Sequence, residues 1–253
     1  MVNKRGIERR AALLLGACAI AAVTVPSAGA QPAASTSAPG KARIGIIGSG
    51  HIGSTVGSLW VQAGHPVLFS SRHPEQLKPM VDRLGSLAQA GTPQDAAAFG
   101  DIVFIAVPYG AMPAIGSQLA PALSGKILID AGNAVASRDG DAMTLVREKG
   151  IGLATASLFP GARVVRAFNV LNYTILQAQA HRAGAPLAVP IAGDDAQALE
   201  VVAGLVRDAG FEPVVVGALA RATEFAQGGP GYGKEVDAAA LRQLLGLAPA
   251  QPR

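Results

Sequence analysis

An apolar strand running straight into three spaced glycines constrains this chain more than any other feature. The segment is Arg43-Ile-Gly-Ile-Ile-Gly-Ser-Gly-His-Ile-Gly53, in which Ile44 to Ile47 reads as a strand and Gly48, Gly50 and Gly53 form G-x-G-x-x-G. A helical pattern follows, with Ile52, Val56, Leu59 and Trp60 on one face. Gly48 permits a tight turn, Gly50 lets backbone approach a pyrophosphate, and Gly53 lets the helix pack closely on the strand. The helix N-terminus then faces the phosphate charge. Glycine triplets alone are common, and a tight strand-helix turn without a ligand is the plain alternative. The strand before and helix after favour nucleotide binding.

Gly64 ends this helix and Pro66-Val-Leu-Phe69 reads as the second strand. An NAD site keeps an acid about 20 residues past the glycines to accept from the ribose hydroxyl. Here that position holds Ser70-Ser71-Arg72-His73, with no carboxylate before Glu75. Two hydroxyls and a forked guanidinium suit a 2′-phosphate that a carboxylate would repel, so the cluster favours NADP over NAD.

Residues 1–30 read as a secretory signal. Lys4, Arg5, Arg9 and Arg10 form a basic start, Ala11 to Val25 is apolar, and Ala28-Gly-Ala30 supplies a small-residue cleavage site before Gln31. The paired arginines point to the twin-arginine route, although Glu8 precedes them and no Phe-Leu-Lys follows. Leu15-Gly-Ala-Cys18 resembles a lipoprotein box, but the apolar run continues beyond Cys18, which places lipidation second; an uncleaved anchor helix is the remaining alternative. Without residues 1–30, Lys plus Arg falls from 21 to 17 and Asp plus Glu from 17 to 16, so the net charge drops from +4 to +1. Nucleic-acid binding therefore has no electrostatic support. Cys18 is the only cysteine, and His51, His65, His73 and His181 lack metal-ligand spacing, so neither a thiol nucleophile nor a metal is expected.

Residues 31–40 read as a disordered spacer, residues 41–217 as an NADP-binding Rossmann domain, and residues 218–253 as a C-terminal loop and helix. Apolar runs at Ile102–Val107, Lys126–Asp130, Arg163–Phe168, Leu187–Ile191 and Pro213–Val216 alternate with helical stretches such as Ala196–Ala209, which Gly210 stops. Runs apolar on both faces suit strands of a buried parallel sheet, giving an α/β, Rossmann-type doubly wound fold. Ligands in such a sheet lie across the carboxyl ends of strands. Val107-Pro108-Tyr109, Ala131-Gly132-Asn133 and Asn169-Val170-Leu171-Asn172 would then line the site after the fourth, fifth and sixth strands. Asn133 and Asn169 are candidates to hydrogen-bond the nicotinamide amide or an acceptor ring; for Asn133 a turn residue satisfying its own backbone is an equal alternative. Asp194 and Asp195 read as caps of the next helix, Gln227 to Gly233 as a flexible surface connector, and Val236 to Leu247 as a terminal helix.

These residues resemble the NADP oxidoreductases that work with the deazaflavin coenzyme F420, a group that includes the oxidoreductase domain of the STEAP metalloreductases. The likeness rests on Ile44 to Gly53, Phe69-Ser-Ser-Arg72, Ala106-Val-Pro108, Ala156-Ser-Leu-Phe-Pro-Gly-Ala-Arg-Val-Val-Arg-Ala-Phe-Asn169, Val189-Pro-Ile-Ala-Gly-Asp-Asp195 and Ala209-Gly-Phe-Glu-Pro-Val214. The resemblance implies that Ser49, Gly50, His51 and Ile52 hold the pyrophosphate, that Ser71 and Arg72 hold the 2′-phosphate, and that Val107 and Pro108 lie near the nicotinamide. A basic residue four positions after the arginine, common in deazaflavin members, stands here as Gln76. The implied function is hydride transfer between NADP(H) and a flavin or deazaflavin-type acceptor. Such a transfer depends on ring positioning and needs no obligatory acid or base, so no catalytic residue is assigned.

The expected partner is a small-molecule redox acceptor, with no transmembrane domain in the mature chain; a homodimer is one arrangement the fold allows. One alternative is a non-catalytic NADP(H)-binding or docking module. Another is a pyrroline-carboxylate or β-hydroxyacid-type reductase, disfavoured because only a short segment follows Gly217. On the export reading, mass spectrometry of the secreted protein should find an N-terminus at or near Gln31; an intact Met1 or a lipid on Cys18 would reject it.

Overall fold

The computed structural model describes residues 40–249, so the export signal, Cys18 and nearly all of the spacer lie outside the described residues. Strands form at Ile44–Ile47 (β1), Val67–Ser70 (β2), Ala88–Gly91 (β3), Ile102–Ile105 (β4), Ile127–Asp130 (β5), Arg163–Arg166 (β6), Ala188–Gly193 (β7) and Glu212–Gly217 (β8). Helices form at His51–Gln62 (α1), Lys78–Leu84 (α2), Pro93–Phe99 (α3), Met112–Leu123 (α4), Ala142–Lys149 (α5), Ile151–Leu158 (α6), Tyr173–Gln179 (α7), Ala196–Asp208 (α8) and Ala238–Leu244 (α9). The strands make one sheet in the order β3-β2-β1-β4-β5-β6-β7-β8. The order reverses beside β1, the position at which doubly wound sheets open a ligand crevice.

The central strands β1, β2, β4 and β5 are buried at every position, because helices cover both faces. β3 is a strand for which the sequence reading names no residues. Its Ala-Gln-Ala-Gly lacks branched side chains and is largely solvent-accessible, so backbone pairing to β2 defines it. A second departure concerns direction. β6 pairs antiparallel with β7, through Val165 opposite Gly193 and Arg166 opposite Ala192, while β7 and β8 run parallel to each other. A fully buried strand reads the same in either direction, so side-chain pattern could not reveal the reversal. Its consequence is that β7 and β8 end at the opposite edge of the sheet from the mutually parallel β1 to β6, whose carboxyl ends share one edge.

Trp60 joins the layers, donating its indole N–H to the Leu205 carbonyl at 2.9 Å and thereby linking α1 to α8. Its ring meets Phe104 and Phe168 edge-on at 5.2 and 5.7 Å, an arrangement aromatic quadrupoles favour. Asp195 caps α8 as expected, accepting from the Ala198 N–H at 2.7 Å. Asp194 does not cap it; its carboxylate accepts from the Leu219 N–H at 2.9 Å and holds the 3-10 turn Leu219–Phe225. The glycine-rich connector is tied down where its N–H groups at Gly231 and Gly233 donate to the carbonyls of Glu224 and Val170, both at 2.9 Å. The terminal helix is shorter than expected and starts at an Asp237 cap.

A buried ion pair lies at the carboxyl edge of the sheet, between β5 and β6. Asp130 ends β5 and Arg166 ends β6, and neither side chain is exposed; the guanidinium reaches the carboxylate at 2.5 Å. Removing one partner would strand the other charge in a low-dielectric interior. Arg166→Met should therefore cost about 3–5 kcal/mol in urea unfolding. Arg163→Met, at the partly exposed start of the same strand, should cost far less; equal losses would show that the buried pair has no special weight.

Candidate dinucleotide-binding site

Steric demands fix the glycine loop. Gly48 has φ +95°, and a Cβ there would lie 2.6 Å from both the Ala106 carbonyl oxygen and Val107 Cγ1. The loop after β1 therefore presses against the loop after β4. A Cβ on Gly53 would lie 2.1 Å from the Gly48 oxygen, so α1 sits directly on the turn. Gly50 differs from both: a Cβ there meets nothing within 4 Å. Space at Gly50 is open, as backbone approach by a phosphate requires.

The N-terminus of α1 is equally open. Its cap residue is Gly50, no side chain accepts from the first N–H groups, and the first turn carries no acid. Those donors and the helix dipole suit an anion. The Ser49 N–H donates to the Ser70 carbonyl at 3.0 Å, whereas its buried Oγ has no partner. His51 stacks on Tyr173 with ring centroids 4.2 Å apart and planes 12° apart, joining the starts of α1 and α7.

At the end of β2 the three polar candidates separate. Ser70 is fully buried and donates its only hydroxyl hydrogen to the Ile46 carbonyl at 2.6 Å. It has no donor left for a phosphate, so Ser70 is withdrawn from the pocket. The Ser71 hydroxyl accepts from the His73 N–H at 3.0 Å and keeps its own hydrogen free to donate. Arg72 is exposed and pairs with no acid among the described residues.

The loops beyond β5 and β6 hold each other. Asn133 donates its amide to the Asn169 carbonyl at 2.7 Å, which differs from a turn residue bonding its own backbone. Asn169 donates to the Phe225 carbonyl at 2.9 Å and to Asn133 Oδ1 at 3.3 Å. Asn169 Oδ1 is buried without a partner. Phe168, just before it, holds φ +61°, a left-handed conformation that costs a non-glycine residue about 1–2 kcal/mol. Strain of this kind persists where surrounding structure over-determines the backbone.

Sequence reasoning did not pick out the braces behind these loops. Asp139 is buried and accepts from the N–H groups of Gly110 and Val135 at 3.0 and 2.7 Å and from the Arg138 side chain at 2.8 Å. The Arg138 guanidinium and these N–H bonds hold its carboxyl well down, at about 2. Tyr109 Oη lies 3.0 Å from Thr155 Oγ1, and burial pushes this phenol up to about 12. Thr155 in turn donates to Asp130 at 2.7 Å. The turn-like Ser137-Arg138-Asp139-Gly140 was the one local signal for the first brace; nothing local marks the second.

Gly48 through Gly53, Ser71, Arg72, Val107 and Pro108 thus share one edge with Asn133 and Asn169. Open space at Gly50, uncapped N–H groups, an orphaned hydroxyl and a guanidinium with no acidic partner among the described residues fit a phosphorylated dinucleotide. Together with the sheet, they define a protein of the dinucleotide-binding α/β class.

Comparison with known proteins narrows the class. The model of the family described as NADP oxidoreductase coenzyme F420-dependent matches residues 43–134, from the start of β1 to the loop after β5. Metalloreductase STEAP3 of Rattus norvegicus is 32% identical over 72% of this chain and 35% of its own length. The chain spans about a third of the length of the curated relatives it matches. The crystal structure of hypothetical protein SMa0349 from Sinorhizobium meliloti aligns with TM-score 0.68 and 31% identity, covering 78% of this chain and 95% of that one. A proposed F420-dependent NADP-reductase from Arthrobacter sp. FB24 shares the fold at TM-score 0.60 and 23% identity, covering 72% and 87%. Residues 43–134 thus match the coenzyme F420-dependent NADP oxidoreductase domain, and most of the chain is similar to the metalloreductases over the part of them that it spans.

Because Gly50 faces open space at φ −73°, Gly50→Val should leave the folded protein intact and abolish dinucleotide binding. Calorimetric titration with NADPH beside a thermal melt checks both halves. Unchanged affinity in the folded variant would remove the glycine loop from the site.

Proposed function

We propose that this protein passes a hydride between NADP(H) and a planar flavin or deazaflavin-type ring. The observation that carries the cofactor half is Arg72, exposed and without an acidic partner among the described residues, beside a Ser71 hydroxyl free to donate at the end of β2. In this reading Ser71 and Arg72 hold the 2′-phosphate. Ser49 and the N–H groups of Gly50, His51 and Ile52 hold the pyrophosphate. Val107 and Pro108 bound the nicotinamide, with Asn133 and Asn169 at its far side, where Asn169 Oδ1 offers an unused acceptor.

The bound nicotinamide supplies the hydride chemistry; the protein orients the rings and excludes water. Polar side chains beneath the site support a positional role. Tyr109 is bonded into Thr155, Asp130 into Arg166, and Asp139 into Arg138, so each is committed to holding a loop. The acceptor half rests on the family description and on the likeness to the metalloreductases. Export of the mature domain, cut after Ala30, is proposed on the leader's composition.

The two halves have separate tests. Arg72→Ala should weaken NADPH by about ten- to a hundredfold, through loss of charge-assisted bonds of about 1.5–3 kcal/mol. NADH, which has no 2′-phosphate, should change much less. Equal losses, or a wild type preferring NADH, would show that Arg72 does not read the phosphate. Stopped-flow NADPH oxidation with coenzyme F420, FMN, FAD and ferric chelates tests the acceptor. A flavin or deazaflavin should turn over; NADPH bound but never oxidised would favour a docking module.

A further inference from the structure

Seven residues are long for a 3-10 helix, yet Leu219–Phe225 keeps that winding throughout. Side chains three apart eclipse in such a helix, and Leu219, Ala222 and Phe225 are accordingly buried along one side. A Cβ on Gly152 would lie 2.4 Å from the Leu219 carbonyl oxygen, so α6 presses directly on the turn. The first N–H of the turn donates to the Asp194 carboxylate at 2.9 Å, just beyond the end of β7. Its last carbonyl, on Phe225, accepts from the Asn169 side chain at 2.9 Å. Asp194 and Asn169 are thus tied to opposite ends of one packed element.

The Phe225 bond fixes which way the Asn169 amide faces. A backbone carbonyl can only accept, so the atom at Phe225 is the amide nitrogen. The same logic orients Asn133, whose nitrogen faces the Asn169 carbonyl at 2.7 Å and whose oxygen meets Asn169 Nδ2 at 3.3 Å. Both Asn169 side-chain hydrogens are therefore spent, while its buried Oδ1 lacks a donor. Sheet order relates this acceptor to the dinucleotide. Arg72 follows β2 on one side of the glycine loop, and β4, β5 and β6 lie in turn on the other. Gly48 presses on Ala106 and Val107, and a Cβ on Gly132, one residue before Asn133, would lie 3.3 Å from the Tyr109 ring. The loops carrying Val107-Pro108, Asn133 and Asn169 are therefore in successive contact. With the 2′-phosphate at Arg72, the nicotinamide end falls on the asparagine side, and its carboxamide supplies N–H donors.

We propose that Asp194 is a positioning residue for the cofactor: through the turn and the Phe225 carbonyl, it keeps Asn169 Oδ1 free to accept from the nicotinamide carboxamide N–H. The inference rests on NADP(H) binding at this edge and is independent of what accepts the hydride.

The 3-acetylpyridine analogue of NADP+ replaces the carboxamide with a methyl ketone, keeping the carbonyl and losing the N–H. Calorimetric titration of wild type should show NADP+ binding about tenfold more tightly than the analogue, because the ketone leaves a buried acceptor unpaired. Asp194→Ala should cut that preference to about threefold or less by weakening NADP+ alone. The analogue, and 2′-phospho-ADP-ribose, which lacks the nicotinamide, should bind as before. Asp194→Asn keeps an oxygen for the Leu219 N–H and should restore the wild-type preference. Equal affinity of wild type for NADP+ and the analogue, as a ribose hydroxyl donor would give, overturns the carboxamide contact while 2′-phosphate recognition stands. An undiminished preference in folded Asp194→Ala, or equal losses for all three ligands, overturns the positioning role. A wild type that binds no NADP+ overturns the dinucleotide site and this inference with it.

Discussion

The ion pair between Asp130 and Arg166 is the constraint on which much of this structure depends. Two charges fully removed from water need bonded surroundings, and every side-chain polar atom of the pair except Arg166 Nε has a partner among the described residues. Asp130 also takes the Gly132 N–H at 2.7 Å and the Thr155 hydroxyl, while Arg166 donates to the Gly132 carbonyl at 2.6 Å. These bonds lock β5, β6, α6 and the loop leading to Asn133. The chain continues through Thr155 to Tyr109, beneath the Val107-Pro108 loop, and Asp139 then clips Gly110 to Val135. The loops at the sheet edge thus rest on polar groups that have no freedom to move.

Above this interior, in which Arg166 Nε alone among the ion pair's atoms is unpaired, the edge itself is left open. Among the described residues, Ser49 Oγ and Asn169 Oδ1 lack partners, α1 has no side-chain cap, and Arg72 pairs with no acid. Buried polar groups in folded proteins nearly always find partners, so a cluster of exceptions at one edge calls for a ligand to complete them. The strained Phe168 belongs to the same pattern, because it turns the chain out of β6 and presents Asn169 to Asn133 and Phe225. Rigid support below and unsatisfied groups above are what the proposed hydride transfer needs when positioning supplies the rate.

Much of this was legible locally. β1 is observed at Ile44–Ile47, α1 follows the glycines, and Asp195 caps α8, since short-range sterics and capping chemistry decide such features. Other features depended on partners distant in the chain. β3 exists because β2 offers it a ladder, and β7 is reversed although its apolar run looks like its neighbours. Ser70 and Ser71 are adjacent and chemically identical, yet strand alternation turns one hydroxyl into the sheet and leaves the other at its edge.

By itself, the sequence determined the glycine turn into α1, the acid-free polar cluster after β2 and the wound α/β plan. Each is written in contiguous residues whose backbone and charge preferences act over a few positions. Only the tertiary structure decided which polar groups are spent and which are free. Asp130 met Arg166 across two strands, Asn133 met Asn169 across two loops, and His51 met Tyr173 across two helices. Such pairings join residues 36 to 122 positions apart, and only the folded sheet brings them within bonding distance.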